Sequence, residues 1–94
     1  MISKRPSSWS VEFDPRAIKD LRRLGHVERG RVLRYMTETV AARDDPRSVG
    51  KALVGDMPGV WRYRVGDLRI LAQIEDDRLV VLVVEVGNRR EIYR

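Results

Sequence analysis

Apolar and polar residues alternate through "WSVEF" (Trp9–Phe13), a stretch of good strand formers, and predict a first strand. The period then lengthens. In "DPRAIKDLRRLG", Ile18, Leu21 and Leu24 fall at helical spacing. Asp14 stands at the N-cap, Pro15 occupies the first helical position, where its missing N–H costs nothing, and Gly25 closes the helix. A second helix is predicted from about Val27 to Ala42, with Val32, Leu33, Met36 and Val40 on one stripe. Two helices joined by so short a turn form an αα-hairpin.

Residues 43–59, "RDDPRSVGKALVGDMPG", read as a connection of turn residues. Three strands follow, at about Val60–Val65, Leu68–Ile74 and Leu79–Val86, separated by turns at Gly66-Asp67 and Glu75–Asp77. The last, "LVVLVVEV", is nearly continuous in apolar residues and is expected to be a central strand buried on both faces. The order is β-α-α-β-β-β. It predicts an α+β fold in which a two-helix hairpin packs on a small, mostly antiparallel sheet. No repeat or second domain interrupts residues 1–94, which read as one domain.

Gly66-Asp67 has glycine at the first central position, as a type II′ hairpin turn requires. Counting outward from it sets Val65 against Leu68, Arg64 against Arg69, Tyr63 against Ile70, Arg62 against Leu71 and Trp61 against Ala72. Alternation then puts Trp61, Tyr63, Ile70 and Ala72 on the core face and Arg62, Arg64, Arg69 and Leu71 on the other. Two like charges directly opposite each other destabilise a sheet by up to ~1 kcal/mol. An anionic ligand is the natural offset, since the planar guanidinium donates bidentately to phosphate.

Composition sharpens that reading. The chain carries 19 Lys and Arg against 14 Asp and Glu, a formal charge of +5, with 35% charged residues. A basic balance favours polyanions such as nucleic acid, a ribosome or an acidic protein, although charge alone does not separate a polyanion binder from a merely soluble basic protein. Arg16, Lys19, Arg23, Arg29, Arg31 and Arg34 lie off the apolar helix stripes, as a solvated face or a basic landing surface. There is no cysteine, and the single histidine, His26, falls at the turn between the helices. No metal cluster, phosphate-binding glycine loop or nucleophile elbow is visible, and no cofactor is expected. The segment "MISKRPSSWS" lacks the apolar core of a signal peptide and "LVVLVV" is too short to span a membrane, so a cytoplasmic protein with no membrane partner is expected. The tail "GNRREIYR" adds Arg89, Arg90, Tyr93 and Arg94, cations with one aromatic, a combination suited to single-stranded RNA.

Three segments, "VEFDPRAIKDLRRL", "GVWRYRVGDLRI" and "VEVGNRREIYR", resemble the RelE family of toxins from type II toxin–antitoxin pairs, within the RelE/ParE superfamily. The resemblance implies a ribosome-dependent endoribonuclease that cuts mRNA in the ribosomal A site without a metal, restrained by an acidic RelB-like antitoxin through which any DNA binding would come. It implies a catalytic set of Arg62, Arg64, Arg69, Arg89 and Tyr93. Lys51, Arg90 and Arg94 are expected as further RNA contacts, as basic residues suited to the RNA backbone. Some family members have lysines where this chain has Arg62 and Arg64, and often tyrosines at Leu68 and Ala72. A guanidinium does not give up its proton, so Arg62 is a poor general base and Glu91 becomes the candidate, ahead of Glu85 and Tyr93, unless the reaction runs on orientation and charge alone. The alternatives are a ParE-like toxin that inhibits DNA gyrase and a non-catalytic RNA- or ribosome-binding module.

Overall fold

The computed structural model describes residues 9–53 and 57–88. Strand β1 (Ser10–Phe13) leads into helix α1 (Pro15–Arg23), whose N-cap Asp14 side chain accepts from the Arg16 N–H at 3.0 Å. Helix α2 (His26–Arg34) folds back. Arg29 of α2 donates to the Leu21 and Leu24 carbonyls at the end of α1, 3.2 Å each, satisfying acceptors that a helix terminus leaves open. A 3-10 helix (Pro46–Val49) and the two-residue strand β2 (Lys51–Ala52) precede β3 (Val60–Val65), β4 (Leu68–Glu75) and β5 (Val80–Asn88).

The sheet runs in the order β1-β5-β4-β3-β2, with β1 parallel to β5 and every other pair antiparallel. The α+β architecture and the αα-hairpin are those expected from sequence. The hairpin register is also as counted, from Val65↔Leu68 to Trp61↔Ala72, and Gly66 takes the positive φ of +59° that its turn demands. One face of the sheet packs on the helices. Tyr63, Ile70, Ala72, Val81, Val83 and Val86 meet Ala17, Leu21, Val32, Met36 and Val40 there.

Four expectations need correction. The second helix does not run regularly to Ala42: α2 gives way to a π turn over Tyr35–Val40, closed by the Ala41 N–H on the Met36 carbonyl at 2.8 Å. The Thr37 hydroxyl donates back to the Leu33 and Arg34 carbonyls, the kind of competition that distorts a helix. Ile18 and Leu33, placed on the apolar stripes, are each more than a third exposed, and Ala17 and Val32 take the core positions beside them. The strand buried on both faces is β4, with five consecutive buried residues from Leu68 to Ala72, because it lies in the middle of the sheet. β5 is interior but only partly covered at Leu82, Val84, Glu85, Gly87 and Asn88. It also starts at Val80, since Leu79 adopts φ +54° and belongs to the turn.

β1 pairs with β5 only as far as Val83, so the next stretch of β5 has an open flank. There the Asp20 carboxylate of α1 accepts from the Val86 N–H at 3.0 Å, beside a register shift opposite Leu71/Ala72. Among the described residues no helix is long and apolar enough to cross a membrane.

A cationic sheet face as candidate functional site

The face of the sheet away from the helices gathers the basic residues. Arg64 of β3 stands directly opposite Arg69 of β4, and Arg62 stands opposite Leu71. On the other flank of β3, Lys51 of β2 is the cross-strand partner of Arg62. Directly opposed residues share a face, with Cβ atoms roughly 5 Å apart. Lys51, Arg62, Arg64 and Arg69 therefore form one cluster drawn from three strands.

Its members are not equivalent. Lys51 and Arg64 are exposed and Arg62 is partly covered, while Arg69 is only 7% exposed. Arg69 lies on β4 between β3 and β5, opposite Arg64 on one side and Gly87 on the other. Among the described residues, Lys51, Arg62 and Arg64 enter no salt bridge. Glu85, a candidate proton acceptor and neutralising partner from sequence, lies opposite Leu71 and is paired with Arg16 of α1 at 3.5 Å. Val49, Gly50, Lys51, Arg62 and Arg64 enclose a hollow of about 160 Å³ with no acidic residue in its wall. A broader hollow of about 490 Å³ beside the hairpin turn mixes Arg31 and Arg34 with Glu38.

Sequence reasoning missed what holds Lys51 in place. Residues 43–59 read as a plain connection, yet their first half is tightly anchored. The Tyr63 hydroxyl, on the core side of β3, donates to the Pro46 carbonyl at 2.9 Å, and burial pushes its phenol up to about 12. The Asp45 side chain accepts from the Arg47 N–H at 3.0 Å and caps the 3-10 helix. Arg47 donates to both carboxylate oxygens of Asp76 in the β4–β5 turn, at 3.2 and 2.5 Å, and its guanidinium lies 6.0 Å from the Trp61 ring centre. Those bonds hold the Asp76 carboxyl below the usual carboxylate range. The Trp9 indole donates to the Asp44 carbonyl at 3.0 Å. The available signal was local: Asp45-Pro46 repeats the Asp14-Pro15 helix-start pattern.

Arg89, Arg90, Glu91, Tyr93 and Arg94 lie outside the described residues. Among the described residues, no group of three or more metal-ligating side chains comes together.

Comparison with known proteins puts this face in context. The family of the ParE toxin of type II toxin–antitoxin systems matches residues 11–93. The mRNA interferase toxin RelE of Escherichia coli K12 is 30% identical over 90 residues, covering 92% of this chain and 90% of that protein. Toxin RelG of Mycobacterium tuberculosis is 29% identical over 86 residues, covering 92% of this chain and 97% of RelG. Among solved structures, the toxin–antitoxin complex RelBE2 of Mycobacterium tuberculosis superposes with a TM-score of 0.80 at 27% identity, over 89% of this chain and 92% of that one. The isolated Escherichia coli RelE toxin gives 0.68 at 28% identity, over 92% of each chain.

Proposed function

Because the chain belongs to the RelE/ParE superfamily of type II toxin–antitoxin toxins, we propose that it is an mRNA endoribonuclease that cuts on the ribosome, in the A site, and is silenced by an acidic RelB-like antitoxin. One observation carries the catalytic part of this reading: Arg62, Arg64 and Arg69 share a sheet face, Arg64 directly opposite Arg69, with no carboxylate paired to Arg62 or Arg64 among the described residues. The curated relatives named mRNA interferases support the reaction class.

The reaction uses the RNA's own 2′-hydroxyl. Its oxygen attacks the adjacent phosphorus, the bond to the 5′-oxygen of the next nucleotide breaks, and a 2′,3′-cyclic phosphate remains. Negative charge grows on the phosphorane oxygens in the transition state. Cations fixed beforehand stabilise that charge more than they stabilise the ground state. Arg64 and Arg69 grip the scissile phosphate. Arg89 stabilises the charge on the leaving 5′-oxygen, which takes its proton from water, Tyr93 stacks on a base, and Arg90 and Arg94 hold flanking backbone. Glu91 accepts the 2′-hydroxyl proton. The ribosome supplies substrate geometry, so few protein groups suffice.

The antitoxin follows from charge and kinship. Several solved relatives are toxin–antitoxin complexes, and a toxin of +5 is steered toward an acidic partner. The antitoxin covers or distorts the arginine face.

A second reading, inhibition of DNA gyrase, is favoured by the ParE family match over residues 11–93. Cleavage mapping on purified programmed ribosomes with wild type, Arg64→Ala and Arg89→Ala, beside a gyrase supercoiling assay, separates the two. A-site cuts that both substitutions strongly reduce are expected. Intact mRNA together with lost supercoiling would transfer the protein to the gyrase class.

A further inference from the structure

The anchoring of residues 44–53 is out of proportion to the strand it delivers. β2 is two residues long, lies at the sheet edge and is exposed. Yet the segment leading to it is tied down by Trp9, Tyr63 and Asp76, from three separate parts of the fold, and Leu53 N–H donates to the Val60 carbonyl at 2.9 Å just beyond it. Residue 50 is fitted to the same end. A Cβ there would stand 2.6 Å from Tyr63 Cε1 and 3.1 Å from the Arg62 carbonyl, so glycine alone lets the backbone close over the ring. Since Gly50 faces Tyr63 on the core side, the next residue, Lys51, turns to the other face, opposite Arg62. The common result of these contacts is a hollow walled by Gly50, Lys51, Arg62 and Arg64, with three cations and no acid.

We propose that this hollow is a second phosphate seat, distinct from the Arg64–Arg69 pair, and that Tyr63 is its positioning residue, acting from the opposite face through Pro46 and Gly50. The proposal rests on the nuclease reading for its substrate: the ligand is a phosphodiester of the same RNA strand, one nucleotide from the scissile bond. Arg62 and Arg64 are two residues apart on one strand, about 6.6 Å, a spacing close to that of successive phosphates in an extended single strand. Arg64 forms the shared wall, and Lys51 and Arg62 supply the second set of donors. A contact away from the reacting bond contributes equally to ground and transition states, so it governs KM more than kcat.

Two measurements test this on the full chain. In steady-state cleavage on programmed ribosomes, Lys51→Ala raises KM about tenfold with kcat nearly retained, and the slope of log(kcat/KM) against log salt becomes shallower by ~0.7, the value for one single-strand phosphate contact. Lys51→Arg restores both. Tyr63→Phe, which keeps the ring and loses the bond to Pro46, shifts KM in the same direction by less. In the second measurement, amide NMR shifts are followed while a cleavage-resistant 2′-O-methyl trinucleotide is added. Saturable shifts at Gly50, Lys51 and Arg62, absent in Lys51→Ala, support the seat even if the wild type proves unable to cut mRNA. Unmoved amides at those three residues overturn the seat, as does an unchanged KM and salt slope in a cleaving Lys51→Ala. A folded Tyr63→Phe with wild-type KM removes Tyr63 from its positioning role.

Discussion

Tyr63 and Gly50 are fitted to each other: the phenol ring fills the space in which any side chain at residue 50 would stand, 2.6 Å from its Cβ. Gly50→Ala is therefore expected to lower stability by ~1–3 kcal/mol, the usual cost of overpacking, and to weaken RNA binding by lifting Lys51 away from Arg62. Urea titration and RNA affinity on the same variant check both effects. An alanine variant of wild-type stability would show that β2 moves freely.

The buried phenol of Tyr63 predicts an alkaline limb in the stability curve. Its ordinary value is near 10 and burial raises it to about 12, with a smaller push from Tyr35. The folded protein then holds a proton that the unfolded chain releases. Stability from this group is complete below pH 10 and is lost as pH rises from 10 to 12, by roughly 2–3 kcal/mol. Denaturant midpoints across that range should fall less steeply in Tyr63→Phe.

Arg64 and Arg69 oppose each other but differ in exposure, so their substitutions should separate function from stability. Arg64→Gln relieves a like-charge pair at an exposed position and is expected to leave stability unchanged or raise it by up to ~1 kcal/mol. It should still reduce cleavage by on the order of 10²-fold. Arg69→Ala removes a side chain only 7% exposed and should destabilise as well as inactivate. Melting curves at low and high salt, set beside cleavage rates, test the contrast.

Asp20 satisfies a backbone N–H that no strand reaches. Asp20→Ala strands the Val86 N–H and is expected to cost ~1–3 kcal/mol, whereas Asp20→Asn keeps an acceptor and should lose little. Hydrogen exchange at Val86 should accelerate in the alanine variant alone. Equal exchange in both variants would mean that solvent, and not the carboxylate, satisfies this amide.

The hairpin was legible because a two-residue turn admits one count: once Gly66 and Asp67 are the loop, every pairing from Arg64↔Arg69 to Trp61↔Ala72 follows. The start of α1 was equally plain, from a capping aspartate and a proline. The strap that carries Lys51 was not, because its anchors are tertiary. Trp9, Tyr63 and Asp76 reach it from distant positions, and no periodicity marks a two-residue strand. The π turn was hidden for a similar reason: Val32, Met36 and Val40 keep helical spacing while the hydrogen bonding beneath them changes. Alternation correctly placed Arg69 on the face away from the helices. It said nothing of its burial, since alternation assigns a face and not a degree of exposure. The tail residues Arg89, Arg90, Tyr93 and Arg94 are picked out by their chemistry, cations beside one aromatic, and by family resemblance.

The pairing of β1 with β5 joins residues 70 positions apart, Ser10 with Val80, and this sets a timetable for synthesis. The αα-hairpin and the β3–β4 hairpin can form soon after their own residues emerge, since their contacts are local. β1 has no partner until the last strand has left the exit tunnel. Its half-apolar edge waits until residues 80–83 are in place, so the sheet closes late, in one step that joins β1 to β5. Substitutions in β1 should therefore act chiefly on unfolding and leave the folding rate almost unchanged.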